Sequence, residues 1–207
     1  MEKKLIFLGP PGSGKGTQAK EIACELGLAH ISMGDILRQA IKDRTPSGIK
    51  AEEHLKAGTL VPDDLVNEIA RDVLRKASGG FILDGYPRTV YQAKFLAGIT
   101  DITKAVYIDV PKDEIVKRLS GRLSCKDCGR VYHICASPPK EEGKCDFCSS
   151  PLYIRNDDKE ETILKRLEVF EKETSPLKSH YEEKGLLSKV NGSGTTLEVK
   201  TRVLSAV

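Results

Sequence analysis

The sequence predicts an α/β fold: a parallel sheet flanked by helices, with a small cysteine-rich module inserted late in the chain. Three observations carry this. Apolar runs of strand length, Leu5-Ile6-Phe7-Leu8, Phe81-Ile82-Leu83-Asp84 and Ala105-Val106-Tyr107-Ile108-Asp109-Val110, are each followed by sequence of helical period. Strand and helix alternate, which is the pattern of a parallel sheet covered on both faces. Residues 121–158 break that rhythm with prolines and five cysteines.

Taken in order, residues 3–9 form the first strand, stopped by Pro10-Pro11-Gly12. Ala19, Ile22, Ala23 and Leu26 repeat at helical spacing, so a helix runs from Gly14 until Gly27 ends it. Cys24 is placed on its apolar face and is expected in the core. Shorter helices are expected over 35–42 and 49–57, joined by the turn Thr45-Pro46-Ser47-Gly48. Pro62-Asp63-Asp64 opens another helix through about residue 76. After the cysteine module, Ile163, Leu167, Phe170, Leu177 and Tyr181 mark one face of a single long helix. A last strand over 186–190 and a closing helix over 195–204 complete the chain.

The 207 residues make one or two domains. Hydrophobic residues at 39% and charged residues at 30% are ordinary for a globular chain and exclude a disordered or fibrous one. Lysine plus arginine number 33 against 30 acidic residues, and the resulting +3 offers no bulk reason for a nucleic-acid or membrane partner. Four apolar residues near the start are too few for a signal segment, and no stretch reaches the ~18 needed to span a bilayer. The expectation is a soluble, cytoplasmic monomer.

Gly9-Pro10-Pro11-Gly12-Ser13-Gly14-Lys15-Gly16-Thr17 lies between the first strand and the first helix. Glycines there let backbone N–H groups curl around phosphate oxygens, and the helix N-terminus adds positive potential. Lys15 reaches the outer phosphates. The general motif carries Ser or Thr after the lysine to hold Mg²⁺, but this chain has Gly16, with Thr17 one place later. Magnesium then needs other groups, reached through water, and Asp84 at the end of its strand is the candidate.

Cys125-x2-Cys128 and Cys145-x2-Cys148 are separated by sixteen residues. Paired knuckles at that spacing close a tetrahedral thiolate site, for zinc or, in vitro, Fe²⁺. Reduced free thiols and two local disulfides are the other outcomes. Four filled positions leave no room for water, so the metal would be structural. Lys126, Arg130 and Lys144 would moderate its −2 charge. Cys135 is a spare thiol, and His30, His54, His133 and His180 have no ligand spacing.

Four ordered motifs, Gly-Pro-Pro-Gly-Ser-Gly-Lys-Gly-Thr-Gln at 9–18, Ile-Ser-Met-Gly-Asp-Ile-Leu-Arg at 31–38, Asp-Gly-Tyr-Pro-Arg-Thr at 84–89 and Arg-Asn-Asp-Asp at 155–158, resemble the adenylate kinase family. The resemblance implies a P-loop nucleoside monophosphate kinase fold with a five-stranded parallel sheet. It divides the chain into a core of 1–31, 62–120 and 159–207, a monophosphate-binding insert at 32–61 and a zinc-stapled lid at 121–158. It implies Mg²⁺-dependent transfer of the terminal phosphate of ATP to AMP, giving two ADP.

Residue by residue, the resemblance puts Gly12, Ser13, Gly14, Lys15, Gly16 and Thr17 around the ATP phosphates. Arg118 would lie against the ATP adenine, Val131 and Tyr132 would flank it, and Gly194 would add a backbone contact. Arg38, Arg88 and Gln92 would hold AMP beside Met33, Gly85, Tyr86 and Pro87, with Thr59, Leu60 and Val61 lining that side. Arg122, Arg155 and Arg166 would converge on the phosphates. Met33 stands where the family more often has a hydroxyl residue, and Tyr86 where phenylalanine is commoner.

Elementary chemistry supports that inventory. A monophosphate carries close to two negative charges near pH 7, its second pKa being ~6, so it needs no general base. What it needs is neutralisation where two anions meet, and forked guanidinium groups suit phosphate oxygens. Lys15, Arg88, Arg122, Arg155 and Arg166 would form that cage, with catalysis by positioning and electrostatics. The alternatives are a kinase for UMP or CMP, or a zinc-ribbon nucleic-acid-binding ATPase. Against the last stand the charge balance and the lack of aromatics interleaved with basic residues at the knuckles.

Overall fold

A computed structural model describes residues 2–77 and 79–207. The chain opens with β1 (Lys4–Leu8) and α1 (Lys15–Leu26), then β2 (Ala29–Ser32), α2 (Met33–Lys42) and α3 (Pro46–Ala57). It continues through α4 (Asp63–Lys76), β3 (Phe81–Asp84), α5 (Val90–Ala97), β4 (Lys104–Asp109) and α6 (Lys112–Ser120). Three short strands follow, β5 (Arg122–Cys125), β6 (Val131–His133) and β7 (Leu152–Tyr153). Then come α7 (Glu160–Val169), α8 (Pro176–Glu183), β8 (Leu187–Asn191) and α9 (Thr196–Leu204). Among the described residues no helix is long and apolar enough to cross a membrane.

The main sheet has five strands in the order β2-β3-β1-β4-β8, all parallel. Its central strands are apolar on both faces because both faces are covered. Ile6 and Leu8 of β1, Phe81 and Leu83 of β3 and Ala105 of β4 pack with α2, α4, α5 and α8. Their neighbours Leu5, Phe7, Ile82, Val106 and Ile108 pack with α1, α6, α7 and α9. The alternation that defines a strand thus divides each one between two cores. The strand order reverses around β1, and ligands of such sheets collect at the carboxyl ends beside that reversal. Phe7 pairs in register with Asp84, so the ends of β1 and β3 stand side by side there.

β5, β6 and β7 form a separate antiparallel sheet in the order β6-β5-β7, over a small core of Cys125, Tyr132 and Cys145.

Two sequence expectations are corrected, and one strand is added. The long helix after the module is two helices joined by a wide turn over Phe170–Thr174, in which the Ser175 N–H donates to the Phe170 carbonyl at 2.8 Å. Pro176 has no N–H for the ladder and its ring crowds the preceding turn, so the helix widens before it. Consequently Ile163 and Leu167 serve one face of the sheet while Leu177 and Tyr181 serve the other. Cys24 is exposed. It follows Ala23 by one residue, which turns it about 100° off the stripe of Ala19, Ile22 and Ala23 that reaches the core. Finally, Ala29–Ser32 is a strand, paired along one edge only.

Tyr86 is buried, and its hydroxyl donates to the Asn67 Oδ1 of α4 at 2.8 Å. Tyr86→Phe leaves that acceptor without its buried partner. The expected loss is about 1–2 kcal/mol of unfolding free energy, read by urea denaturation.

Candidate active site

At the carboxyl end of β1 the chain turns through Gly14, whose φ of 90° is a left-handed conformation suited to glycine and which caps α1. The first N–H groups of α1 open into this turn, unpaired within the helix. Lys15 folds back over it, its Nζ donating to the carbonyls of Gly9 and Pro10, both at 2.7 Å. A Cβ placed on Gly16 would lie 3.0 Å from Asp84 Oδ2. The side chain missing after the lysine therefore makes room for a carboxylate from the neighbouring strand. A magnesium ion suits this donor set, an anionic oxygen at the edge of a phosphate-sized loop with the Thr17 hydroxyl residue nearby in sequence.

Arginines arrive from every side. Arg88, just after β3, donates from Nε to the Gly85 carbonyl at 2.9 Å. Arg38 of α2 pairs with Asp35 at 2.5 Å. Arg122 of β5 grips Asp158 with both arms of its fork, Nε lying 2.7 Å from Oδ2 and Nη2 meeting Oδ1. Arg166 of α7 shares the same carboxylate at 3.0 Å and also takes Asp157, through its carbonyl at 2.8 Å and its carboxylate at 3.1 Å. The Asp158 side chain is fully buried, so one carboxylate ties the cysteine module to α7. Arg155, beyond β7, is oriented by the Ser124 hydroxyl, which accepts from its Nε at 2.7 Å.

These cations destabilise one another. Burial pulls the Lys15 ammonium down to about 7, Asp84 opposing and Arg88, Arg166 and Arg122 adding to the fall. Burial likewise lowers Arg155 to about 10, helped by Arg38 and Arg122. Arg88 and Arg166 are pulled down too, first by burial. Cations that are desolvated and mutually repelling gain most from a ligand of opposite charge.

They share a cleft of about 1400 Å³. Its walls include the loop from Gly12 through Ser13, Gly14, Gly16 and Thr17, together with Asp84 and Arg118. Met33, Thr59, Leu60, Val61, Gly85, Pro87 and Gln92 lie along it with Arg38 and Arg88, and Val131, Tyr132 and Gly194 also contribute. Tyr86 stands apart, behind the wall on Asn67. Tyr132 sends its hydroxyl to Cys145 Sγ at 3.4 Å, toward the cysteines. Arg118 is engaged with Glu114 and with the Gly192 carbonyl at 2.9 Å. Sequence reasoning missed the anchoring of Arg122 and Arg166 by Asp158, because Arg122 and Asp158 lie 36 residues apart. It also missed His30, whose Nε2 lies 3.7 Å from Asp84 Oδ2.

The thiols of Cys125, Cys128, Cys145 and Cys148 lie within 4.8 Å of one another and none is disulfide-bonded. Sulfur pairs across the two knuckles are 3.3 Å (Cys125 and Cys148) and 3.6 Å (Cys128 and Cys145) apart. Zinc–sulfur bonds of ~2.3 Å in a tetrahedron set sulfurs ~3.8 Å apart, so the donor set fits that ion. Cys135 is exposed outside the cluster.

A phosphate loop, a cage of arginines and a four-thiolate module on one cleft is a specific combination, and comparison with known proteins agrees with it. Residues 7–186 match the family model described as adenylate kinase. An adenylate kinase of Clostridium kluyveri is 46% identical over 99% of this chain and 97% of its own length. One from Carboxydothermus hydrogenoformans is 44% identical over 99% of both, and one from Methanothrix thermoacetophila 50% identical over 92% of this chain and 91% of its own. With the cleft's architecture and near-full-length similarity pointing the same way, the chain belongs to the adenylate kinase family.

Proposed function

We propose that the protein is an ATP:AMP phosphotransferase that interconverts ATP plus AMP with two ADP, acting as a cytoplasmic monomer without a nucleic-acid or membrane partner. The observation that carries the reading is the convergence of Lys15, Arg88, Arg122, Arg155 and Arg166 on one cleft beside a phosphate loop. ATP occupies the side of Gly12–Thr17, its adenine against Arg118, Val131, Tyr132 and Gly194. AMP occupies the side of Met33, Arg38, Thr59, Leu60, Val61, Gly85, Pro87 and Gln92, with Tyr86 supporting that wall from behind.

The acceptor phosphate is already anionic and attacks without a base. Arg88 and Arg38 hold it, Lys15 and the loop N–H groups hold the donor, and Arg122, Arg155 and Arg166 neutralise charge between them. Asp84 would hold magnesium, which when bound would supply charge neutralisation on the ATP phosphates. Segments 32–61 and 121–158 act as a monophosphate-binding insert and a lid on the core of 1–31, 62–120 and 159–207. Closure excludes water, which otherwise competes with AMP for the transferred phosphoryl group. Zinc at Cys125, Cys128, Cys145 and Cys148 staples the lid, whose own core is too small to hold it.

Mixing the protein with Mg·ATP and AMP, UMP, CMP or GMP in turn, and resolving the products, tests the activity. ADP formation confined to AMP is expected, and equal rates with UMP would sink the AMP assignment. Arg88→Ala is expected to lower kcat about 10²–10³-fold with an unchanged circular dichroism spectrum, as loss of a phosphate clamp does. Metal analysis is expected to return one zinc per chain. Its removal by a chelator should lower the melting temperature of the lid while leaving the main sheet folded, and abolition of transfer with the fold fully intact would contradict a structural role.

A further inference from the structure

Gln92, in the first turn of α5, is almost fully buried at the cleft wall, with 2% of its surface exposed. Its two amide atoms are held by unlike partners. The Arg88 main-chain N–H donates to Oε1 at 2.7 Å, and Nε2 donates to Asp63 Oδ1, also at 2.7 Å. A main-chain N–H can only donate and a carboxylate can only accept, so the chemistry of the partners dictates which way round the amide sits. Turning it over would set donor against donor at one end and oxygen against oxygen at the other. Asp63 is itself anchored, its Oδ2 accepting from the Thr89 hydroxyl at 2.9 Å. That hydroxyl accepts from the Gln92 N–H at 3.1 Å and closes a ring of three residues. Asp63, at the start of α4, stays off the cleft wall and acts through Gln92.

We propose that Asp63 is a positioning residue that sets which purine the monophosphate site accepts, by holding the Gln92 amide in the orientation that pairs with adenine and rejects a 6-oxopurine. This rests on the reading that Gln92 meets the acceptor base. Each amide atom keeps one unused position, a second lone pair on Oε1 and a second N–H on Nε2. The complement of that pair is a base edge with an N–H donor beside a ring-nitrogen acceptor. Adenine presents this edge at N6 and N1, the kind of pairing by which a glutamine amide recognises adenine in nucleic acids. Hypoxanthine has the same ring and sugar, with an oxygen at position 6 and a hydrogen on N1. It would meet the held amide with acceptor opposite acceptor and donor opposite donor. The arginines that grip its phosphate prevent the base from sliding to exchange the two positions. Buried polar groups left unpaired in this way give larger discrimination than shape alone.

Asp63→Asn tests the proposal at constant shape, because an amide in that place can offer Gln92 either an oxygen or an N–H. Initial rates with AMP and with inosine 5′-monophosphate, on the native protein and on D63N, give kcat and KM for each, with melting temperatures alongside. The native protein is expected to prefer AMP by at least about 100-fold in kcat/KM. In D63N that ratio should fall at least about tenfold, through a higher KM for AMP and a gain with the inosine nucleotide. The kcat with AMP and the KM for ATP should stay within about twofold. Should D63N not fold, Thr89→Val loosens the same ring and should shift the ratio in the same direction.

An unchanged ratio in folded D63N would overturn the proposal, as would an equal loss of kcat with both monophosphates. Native protein that used both nucleotides equally would defeat it while leaving phosphotransfer standing. Native protein inactive on AMP would overturn the activity reading and this inference together.

Discussion

Six cations from separate parts of the chain, Lys15, Arg38, Arg88, Arg122, Arg155 and Arg166, face one cleft, and they repel. Two like charges ~4 Å apart in a partly buried setting oppose each other by about 4 kcal/mol, so the constellation needs carboxylates placed beneath it. Asp158 lies under Arg122 and Arg166, Asp157 beside Arg166, Asp84 beside Lys15 and Asp35 against Arg38. Compensation is partial, as the depressed Lys15 and Arg155 show. The remaining positive field suits the binding of polyanions. Most other features of the molecule either deliver a cation to this place or hold a carboxylate near it.

The sheet does the delivering. A reversal of strand order at β1 places the phosphate loop and Asp84 on adjacent strand ends, with Arg88 four residues beyond Asp84. In the small antiparallel sheet β5 starts at Arg122 and β7 runs toward Arg155, so both arginines stand at the same end, where the hydrogen bond from Arg155 to Ser124 joins the two segments. The four clustered thiols of Cys125, Cys128, Cys145 and Cys148 belong to the same module as these two guanidinium groups. The donors of the cage thus belong to a few stiff pieces, which suits chemistry that depends on placement.

Much of this was legible in the sequence, for physical reasons. Buried parallel strands must be continuous apolar runs, which is why Leu5–Leu8 and Phe81–Leu83 stand out. A thiolate tetrahedron requires two close pairs, so the knuckle spacing is visible at a glance. The arginines were legible only through motif resemblance, since a single arginine in a sequence looks like any other surface residue. Their carboxylate partners were harder still. Asp158 lies in the acidic run Asp157-Asp158-Lys159-Glu160-Glu161, which as sequence suits a helix start and the neighbourhood of Arg155, whereas its full burial against Arg122 shows only in the fold. The Asp63–Gln92 pair spans 29 residues and two helices, and no spacing rule reaches that far. Ala29–Ser32 is too short to display a period, and Cys24 was misplaced by one step of a helical one.

The wide turn over Phe170–Thr174 changes which alterations of length the chain tolerates. Because α7 and α8 cover opposite faces of the sheet, the angle between their apolar stripes is set by how many residues separate them. Deleting one would rotate α8 by about 100° about its axis and swing Leu177 and Tyr181 away from the strands they seal. Replacements that keep the count would leave both stripes in register. Arg166 sits one turn before this joint, so the count of residues in a short helical segment also sets how α8 is turned relative to that arginine.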